Sequence, residues 1–109
     1  MSWRIRGQLP FLQSVLRVAD SQTRRERLQA ANADQINAIS ELVMNTLPQR
    51  VPVSSRTVQR LAPHRMALHD MARRKGSIKR RRELMMQQSG SGLWSGLKTV
   101  CDQCLRRRS

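Results

Sequence analysis

Aromatic side chains are nearly missing from this sequence: it has Trp3, Phe11 and Trp94, and it has no tyrosine. Proteins that bind single-stranded nucleic acid by base stacking need aromatic platforms, and RNA-binding sheets need them too. The sequence therefore disfavours both classes. Contact with backbone phosphates needs no aromatic side chain, so that form of nucleic-acid binding is not excluded.

Acidic residues are also few in this sequence. Seven Asp and Glu stand against 21 Lys and Arg, which gives a net charge of +14 over 109 residues. The excess is uneven: residues 1–50 carry seven cations and four anions, whereas residues 51–109 carry fourteen and three. Most of the cations are arginines, whose planar fork donates two parallel hydrogen bonds to phosphate. The composition therefore predicts an acidic, phosphate-bearing partner.

Long apolar runs and alternating apolar patterns are also missing. Arg4, Arg6, Pro10 and Arg17 interrupt the start of the chain, so we expect no secretory signal there. No stretch is long enough to predict a transmembrane helix. Without period-two alternation there is no strand signal either. Together these absences favour an all-α chain.

Recognisable catalytic chemistry is absent as well. The acidic residues are dispersed and the serines have no evident base partner, so we expect neither an enzyme nor a cofactor. Cys101 and Cys104 form a C-x-x-C pair, but zinc needs four ligands. His64 and His69 lie some thirty residues upstream, at a spacing that does not align on a helix. Two small apolar residues on a helix face are favoured over a zinc or redox site, and we predict no metal.

Helical spacing of apolar residues divides the chain into four parts. Residues 1–8 are predicted to be a disordered N-terminus, and residues 9–72 a small bundle of three to four short helices. A basic helix over 73–88 and a flexible Gly/Ser hinge with an amphipathic tail over 89–109 follow. The fold class predicted is all-α, and its small core would gain from a partner or self-association.

Helix boundaries are predicted from capping residues. Thr23 with Glu26 fits a capping box, and the next helix begins with Asn32 to Gln35 or with Asp34 alone. Ser54 or Ser55 and then Ser77 are predicted to cap later helices. Pro63 predicts a break near Ala62, because proline cannot donate a helical hydrogen bond.

The densest cationic segment lies between Arg73 and Arg82. Because Lys79 to Arg82 are four consecutive cations, they span more than a helical turn and point around the helix. That arrangement favours phosphate contact over base reading. A nuclear localisation signal and a solvated helix face are the two alternatives. The predicted nucleic-acid-binding residues are Arg65, Arg73, Arg74, Lys75, Lys79, Arg80, Arg81 and Arg82.

The tail places several apolar residues on one side of a marginal helix. Leu93, Trp94 and Leu97 are the predicted docking residues, either for a membrane interface or for a protein groove. The alternative is a disordered tail whose apolar spacing has no role.

The order of several motifs resembles that of a known family. These are Ile36, Ile39, Glu41, Asn45 and Leu47; then Leu61, His64, Arg65 and Leu68; then Lys75, Ser77, the cations Lys79 to Arg82, and the glycines Gly90 and Gly92. Over about two-thirds of its length, the chain resembles a family of small basic core proteins, the mu-like precursors. Members of this family occur in adenovirus-like animal viruses, adintoviruses and Maverick/Polinton-type elements.

The resemblance implies a virion core protein that binds and condenses the double-stranded DNA genome. It implies localisation in the virion and the host nucleus, with capsid proteins or the protein itself as further partners. It also implies cleavage between Ser91 and Gly92 by a viral cysteine protease that prefers glycine-containing sites.

Two functions of other classes are kept as alternatives. The first is a membrane-active or protein-docking basic peptide, in which the tail is the effector and the basic segment attracts anionic lipid. The second is a subunit of a ribonucleoprotein, which would bind structured RNA rather than duplex DNA.

Overall fold

Helices make up almost all of the computed structural model, which describes residues 3–46, 54–72 and 77–106. No strand occurs over these residues, so the predicted all-α class is confirmed. The helices are more numerous than the three or four predicted. They are α1 (Trp3–Gly7), α2 (Leu9–Arg17), α3 (Ser21–Ala30), α4 (Ala33–Thr46), α5 (Ser55–Leu61), α6 (Arg65–Ala72), α7 (Ile78–Gln87) and α8 (Leu93–Arg106), with a 3-10 turn at Ala62–His64 between α5 and α6.

The caps of α3 and α4 show one wrong prediction and one confirmed. Asp20, not Thr23, caps α3: its carboxylate accepts from the Thr23 backbone N–H (2.8 Å) and hydroxyl (2.6 Å). Thr23 is therefore the third residue of the helix. At α4 the Asn32 side chain accepts from the Gln35 N–H, and the Gln35 side chain accepts from the Asn32 N–H, both at 2.9 Å. This reciprocal pair satisfies two otherwise unpaired donors.

The later helix boundaries follow the sequence signals. Ser54 caps α5 through the Thr57 N–H, and Ser77 caps α7 through the Arg80 N–H (3.1 Å). The predicted break at Pro63 is the 3-10 turn Ala62–His64, after which α6 continues to Ala72.

The core is shared by both halves of the chain. Helix α4 packs against α1, α2, α6, α7 and α8, which encloses it on most sides. Its residues Ile36, Ile39, Leu42 and Val43 are fully buried. The described residues occupy 31 × 29 × 29 Å. Helices α7 and α8 therefore belong to the same packing unit as the predicted 9–72 bundle.

Both chain ends differ from their predictions. The N-terminus is helical from Trp3, and Ile5 is buried while Arg4 lies 3.6 Å from the carboxylate of Glu41. That part of the predicted disordered segment is corrected. At the other end, Leu93 and Leu97 are completely buried in the core.

The predicted Gly/Ser hinge is a turn, fixed by hydrogen bonds from both sides. The Trp94 indole donates to the Gln88 carbonyl (2.7 Å), and Arg24 donates to the Ser89 carbonyl (2.7 Å). Helix α8 then approaches α5 closely at Gly96. A Cβ atom on Gly96 would lie 2.5 Å from Leu61 Cδ2, so any larger residue at this crossing would require the Leu61 side chain to move. The described part of the chain contains no helix that could cross a membrane.

Candidate nucleic-acid interface

The described arginines fall into two groups according to whether the protein already uses their guanidinium. The first group bonds to carbonyls, hydroxyls or carboxylates of the protein itself. It consists of Arg4, Arg17, Arg24, Arg27, Arg81 and Arg82. In the second group the guanidinium has no hydrogen bond or ion pair to any described residue. It consists of Arg6, Arg25, Arg56, Arg60, Arg65 and Arg80, all of them exposed. The guanidinium groups of the second group are therefore available to an external anion.

Arg81 belongs to the interior, which corrects its prediction as a phosphate contact. Its side chain is 4% exposed, and its Nη1 donates to the Ser40 hydroxyl oxygen at 2.8 Å. That hydroxyl in turn donates to the Met71 carbonyl at 2.7 Å. The contact joins α7 to α4 and α6. The four consecutive cations therefore do not all point to solvent.

Arg82 is committed to the fold as well. It is half-buried, and its Nη2 donates to the carbonyl of Ala31 at 2.6 Å, where α3 ends. A guanidinium at the C-terminus of a helix satisfies a carbonyl without a helical partner and favours the helix dipole. Its prediction as a phosphate contact is corrected to a structural contact between α3 and α7.

Three of the predicted phosphate contacts are exposed. Lys79 and Arg80 lie in the first turn of α7, and Arg65 begins α6. None of the three forms an ion pair with a described carboxylate. Arg73, Arg74 and Lys75, which precede α7, lie outside the described residues.

Arg24 is a buried arginine that the sequence pattern did not reveal. Its Nε donates to the Val15 carbonyl (2.9 Å), and its two terminal nitrogens donate to the carbonyls of Ser89 and Val18. Its guanidinium also lies 5.5 Å from the centre of the Trp94 ring. Burial removes water from the charge and lowers the pKa of Arg24. This side chain joins α2, α3 and the turn before α8.

The tail residues predicted to dock on a membrane or a partner are core residues. Trp94 is 1% exposed, and Leu93 and Leu97 are fully buried. An interfacial helix needs its apolar side free to enter the lipid or a groove. The docking prediction is corrected: the apolar side of α8 packs on α2, α4 and α5.

The predicted cleavage site lies in the turn before α8. Ser91 is half-buried; its hydroxyl oxygen lies 3.2 Å from His64 Nδ1 and accepts from the Leu93 N–H at 3.2 Å. A protease would have to open this turn before reaching the Ser91–Gly92 bond. Cleavage there would break the covalent link between α8 and the helices on which it packs. Processing at this site stays a prediction.

Other chemistry is sparse in the described residues. They hold no group of three or more side chains that could bind a metal ion. Cys101 is buried in the core, and the Cys104 side chain lies outside the described residues. A groove of about 600 Å³ runs beside the turn before α8, and Asp20 and Arg24 form part of its wall. Both charged groups already bond within the protein, because Asp20 caps α3 and Arg24 donates to carbonyls.

Comparison with known proteins adds no relative. Neither a family model, nor a curated protein, nor a solved structure matches the chain. Functional inference therefore depends on the distribution of charge and on the residues that carry it.

Proposed function

We propose that this protein is a structural protein that binds and condenses double-stranded DNA without sequence preference, through contacts between its exposed cations and backbone phosphates. The observation that carries the proposal is an excess of cations over carboxylates in one part of the sequence. From Leu42 to Arg82 the chain has eleven cations and a single carboxylate, Asp70. Even without Arg81 and Arg82, a large positive excess remains in this part of the chain.

Phosphate contact fits the exposed cations better than base reading does. Lys79 and Arg80 are adjacent in α7 and therefore project about 100° apart around the helix. Base reading needs several side chains that enter one groove together. Diverging cations instead meet phosphates on neighbouring parts of the backbone, which gives affinity without sequence discrimination.

The resemblance to virion core proteins supports a more specific role. On that proposal the protein packages a viral or Polinton-type genome, is found in the virion and the host nucleus, and also contacts capsid proteins or itself. DNA packaging needs many weak, sequence-independent contacts because every part of the genome must be covered. The cationic excess of this chain provides contacts of that kind.

The test is binding of the full chain to two duplexes of equal length and unrelated sequence, followed by fluorescence anisotropy. We expect equal dissociation constants, on the order of 1 µM or tighter at about 0.05 M salt. Light scattering should then rise as the protein neutralises a longer duplex. Absence of duplex binding would contradict the proposal. Preferential binding of structured RNA in competition would favour the ribonucleoprotein alternative instead.

A further inference from the structure

Two arginines outside the predicted basic segment lie on the solvent side of α5. Arg56 and Arg60 are exposed, whereas Thr57 and Leu61 are buried on the side that faces α8. Because Arg56 and Arg60 are four residues apart, they project from the same side of the helix, with their Cβ atoms about 6 Å apart. The helix thus places the two arginine side chains next to each other, so that both guanidinium groups can reach one anion.

Their surroundings contain little negative charge. The sequence from Leu42 to His69 has no Asp or Glu. Neither guanidinium forms an ion pair with a described carboxylate, in contrast to Arg17, which lies 3.0 Å from Asp102. Two unneutralised guanidinium groups on one rigid face repel each other in the free protein. An external anion that contacts both relieves that repulsion.

Helix α6 lies between this pair and α7 along the chain. Arg81 and Met71 share the Ser40 hydroxyl, which places the first turn of α7 beside the end of α6. His64 contacts Ser91, which places the start of α6 beside the turn that follows α7. Helices α6 and α7 are therefore antiparallel.

Helix α5 joins the start of α6 through the 3-10 turn Ala62–His64, and it packs on α8. Lys79 and Arg80 lie in the first turn of α7, beside the other end of α6. The cations of α5 and those of α7 are therefore carried by different helices, at opposite ends of α6. Arg65, at the start of α6, lies between them along the chain.

We propose that the outward side of α5, formed by Arg56 and Arg60, is a second phosphate-binding surface for duplex DNA, separate from the basic segment that ends in α7. The inference rests on the proposed function and identifies where on the fold part of that function is carried out. Planar guanidinium groups suit phosphate oxygens through paired hydrogen bonds. The surface contributes affinity and fixes how the protein lies on the duplex.

The experiment compares R56Q/R60Q with the matched control R6Q/R25Q. Each variant loses two exposed arginines whose guanidinium groups form no hydrogen bond or ion pair with described residues. Both variants therefore have the same net charge. Each lost phosphate contact makes the negative slope of log K against log salt shallower by about 0.9. We expect R56Q/R60Q to make the slope shallower by about 1.8 and to weaken binding on the order of 10- to 100-fold at about 0.1 M salt. The control should change the slope by less than about 0.5.

Two further measurements keep the result interpretable. R56K/R60K retains both charges and should keep the wild-type slope, and all variants should unfold at the wild-type urea midpoint. If R56Q/R60Q and R6Q/R25Q weaken binding equally, net charge rather than a defined site determines affinity. That result would refute the α5 surface as a binding site but not the proposed binding to duplex DNA. If the wild-type protein does not bind duplex DNA, the proposed function itself fails.

Discussion

Arg80 and Arg81 are adjacent in sequence and have opposite roles, which makes them a sharp test of this structure. The Arg80 guanidinium is exposed and bonds to no described residue, whereas Arg81 is buried and its guanidinium donates to the Ser40 hydroxyl at 2.8 Å. Replacing each in turn by alanine removes the same charge from neighbouring positions of the same helix. The two variants should therefore differ in stability and in DNA binding for structural reasons alone.

The expected cost of Arg81→Ala follows from its contacts. A hydrogen bond from a charged donor contributes about 1.5–3 kcal/mol, and burial of the aliphatic stem adds about 0.8 kcal/mol per methylene. Release of a buried charge to water offsets part of this loss. We expect a net destabilisation of about 2–4 kcal/mol for Arg81→Ala. Arg80→Ala, at an exposed position, should change stability by no more than about 0.5 kcal/mol.

Urea unfolding measures the stabilities, and duplex binding against salt measures the phosphate contacts. Arg80→Ala should make the negative slope of log K against log salt shallower by about 0.9. Arg81→Ala should leave the slope unchanged under conditions in which the variant is folded. The reasoning is refuted if Arg81→Ala has the wild-type urea midpoint and makes the salt slope as shallow as Arg80→Ala does. Arg81 would then be a surface phosphate contact.

Three further changes test the packing and the caps. Trp94→Ala removes a fully buried ring and should destabilise the protein by about 3–5 kcal/mol in urea unfolding; an unchanged midpoint would mean that α8 is a detached tail. Hydrogen bonds from the Thr23 hydroxyl and N–H lower the pKa of Asp20 in the folded protein. The cap therefore stabilises the fold fully above the unfolded-state pKa of about 3.9, and this stabilisation is lost as pH falls through the lower pKa of the folded state. Asp20→Asn keeps a capping side chain and should remove that acid dependence from unfolding curves, whereas an identical pH profile would contradict the cap. Ser77→Ala should cost about 0.5–2 kcal/mol, while Ser55→Ala, one position after a cap, should cost less; equal losses would argue against Ser77 as the cap of α7.

Local signals were sufficient to predict much of the helical organisation. The caps at Asn32, Ser54 and Ser77 and the break at Pro63 all follow from chemistry within four residues of the position concerned. The Thr23–Glu26 pattern predicts the wrong cap because Asp20, three residues before Thr23, also has a side-chain oxygen that accepts a helix N–H. Sequence patterns did not distinguish the two.

Long-range contacts were beyond the reach of those signals. Arginine is normally exposed, so nothing near Arg81 or Arg24 in sequence indicates that either is buried. Arg81 donates to Ser40, which lies 41 positions away, and one of the three acceptors of Arg24 is Ser89, which lies 65 positions away. A buried arginine becomes predictable only when the helices that supply its acceptors have been placed.

The same limitation affected the tail and the candidate interface. The apolar spacing of Leu93, Trp94 and Leu97 predicted a one-sided helix correctly, but it could not show whether that side meets lipid, a partner or the chain itself. For the candidate interface, a run of adjacent cations is the most visible sequence signal, and it indicates the segment from Arg73 to Arg82. Arg56 and Arg60 are not part of such a run. Their four-residue spacing is the signal that they share a helix face.

The most direct test of the central claim is the salt dependence with which the intact chain binds duplex DNA. Eight cations are proposed to meet phosphates: Arg56, Arg60, Arg65, Arg73, Arg74, Lys75, Lys79 and Arg80. At about 0.9 for each contact, the slope of log K against log salt should be about −7 on duplexes of any sequence. A slope shallower than about −2, or binding that depends on duplex sequence, would contradict the claim.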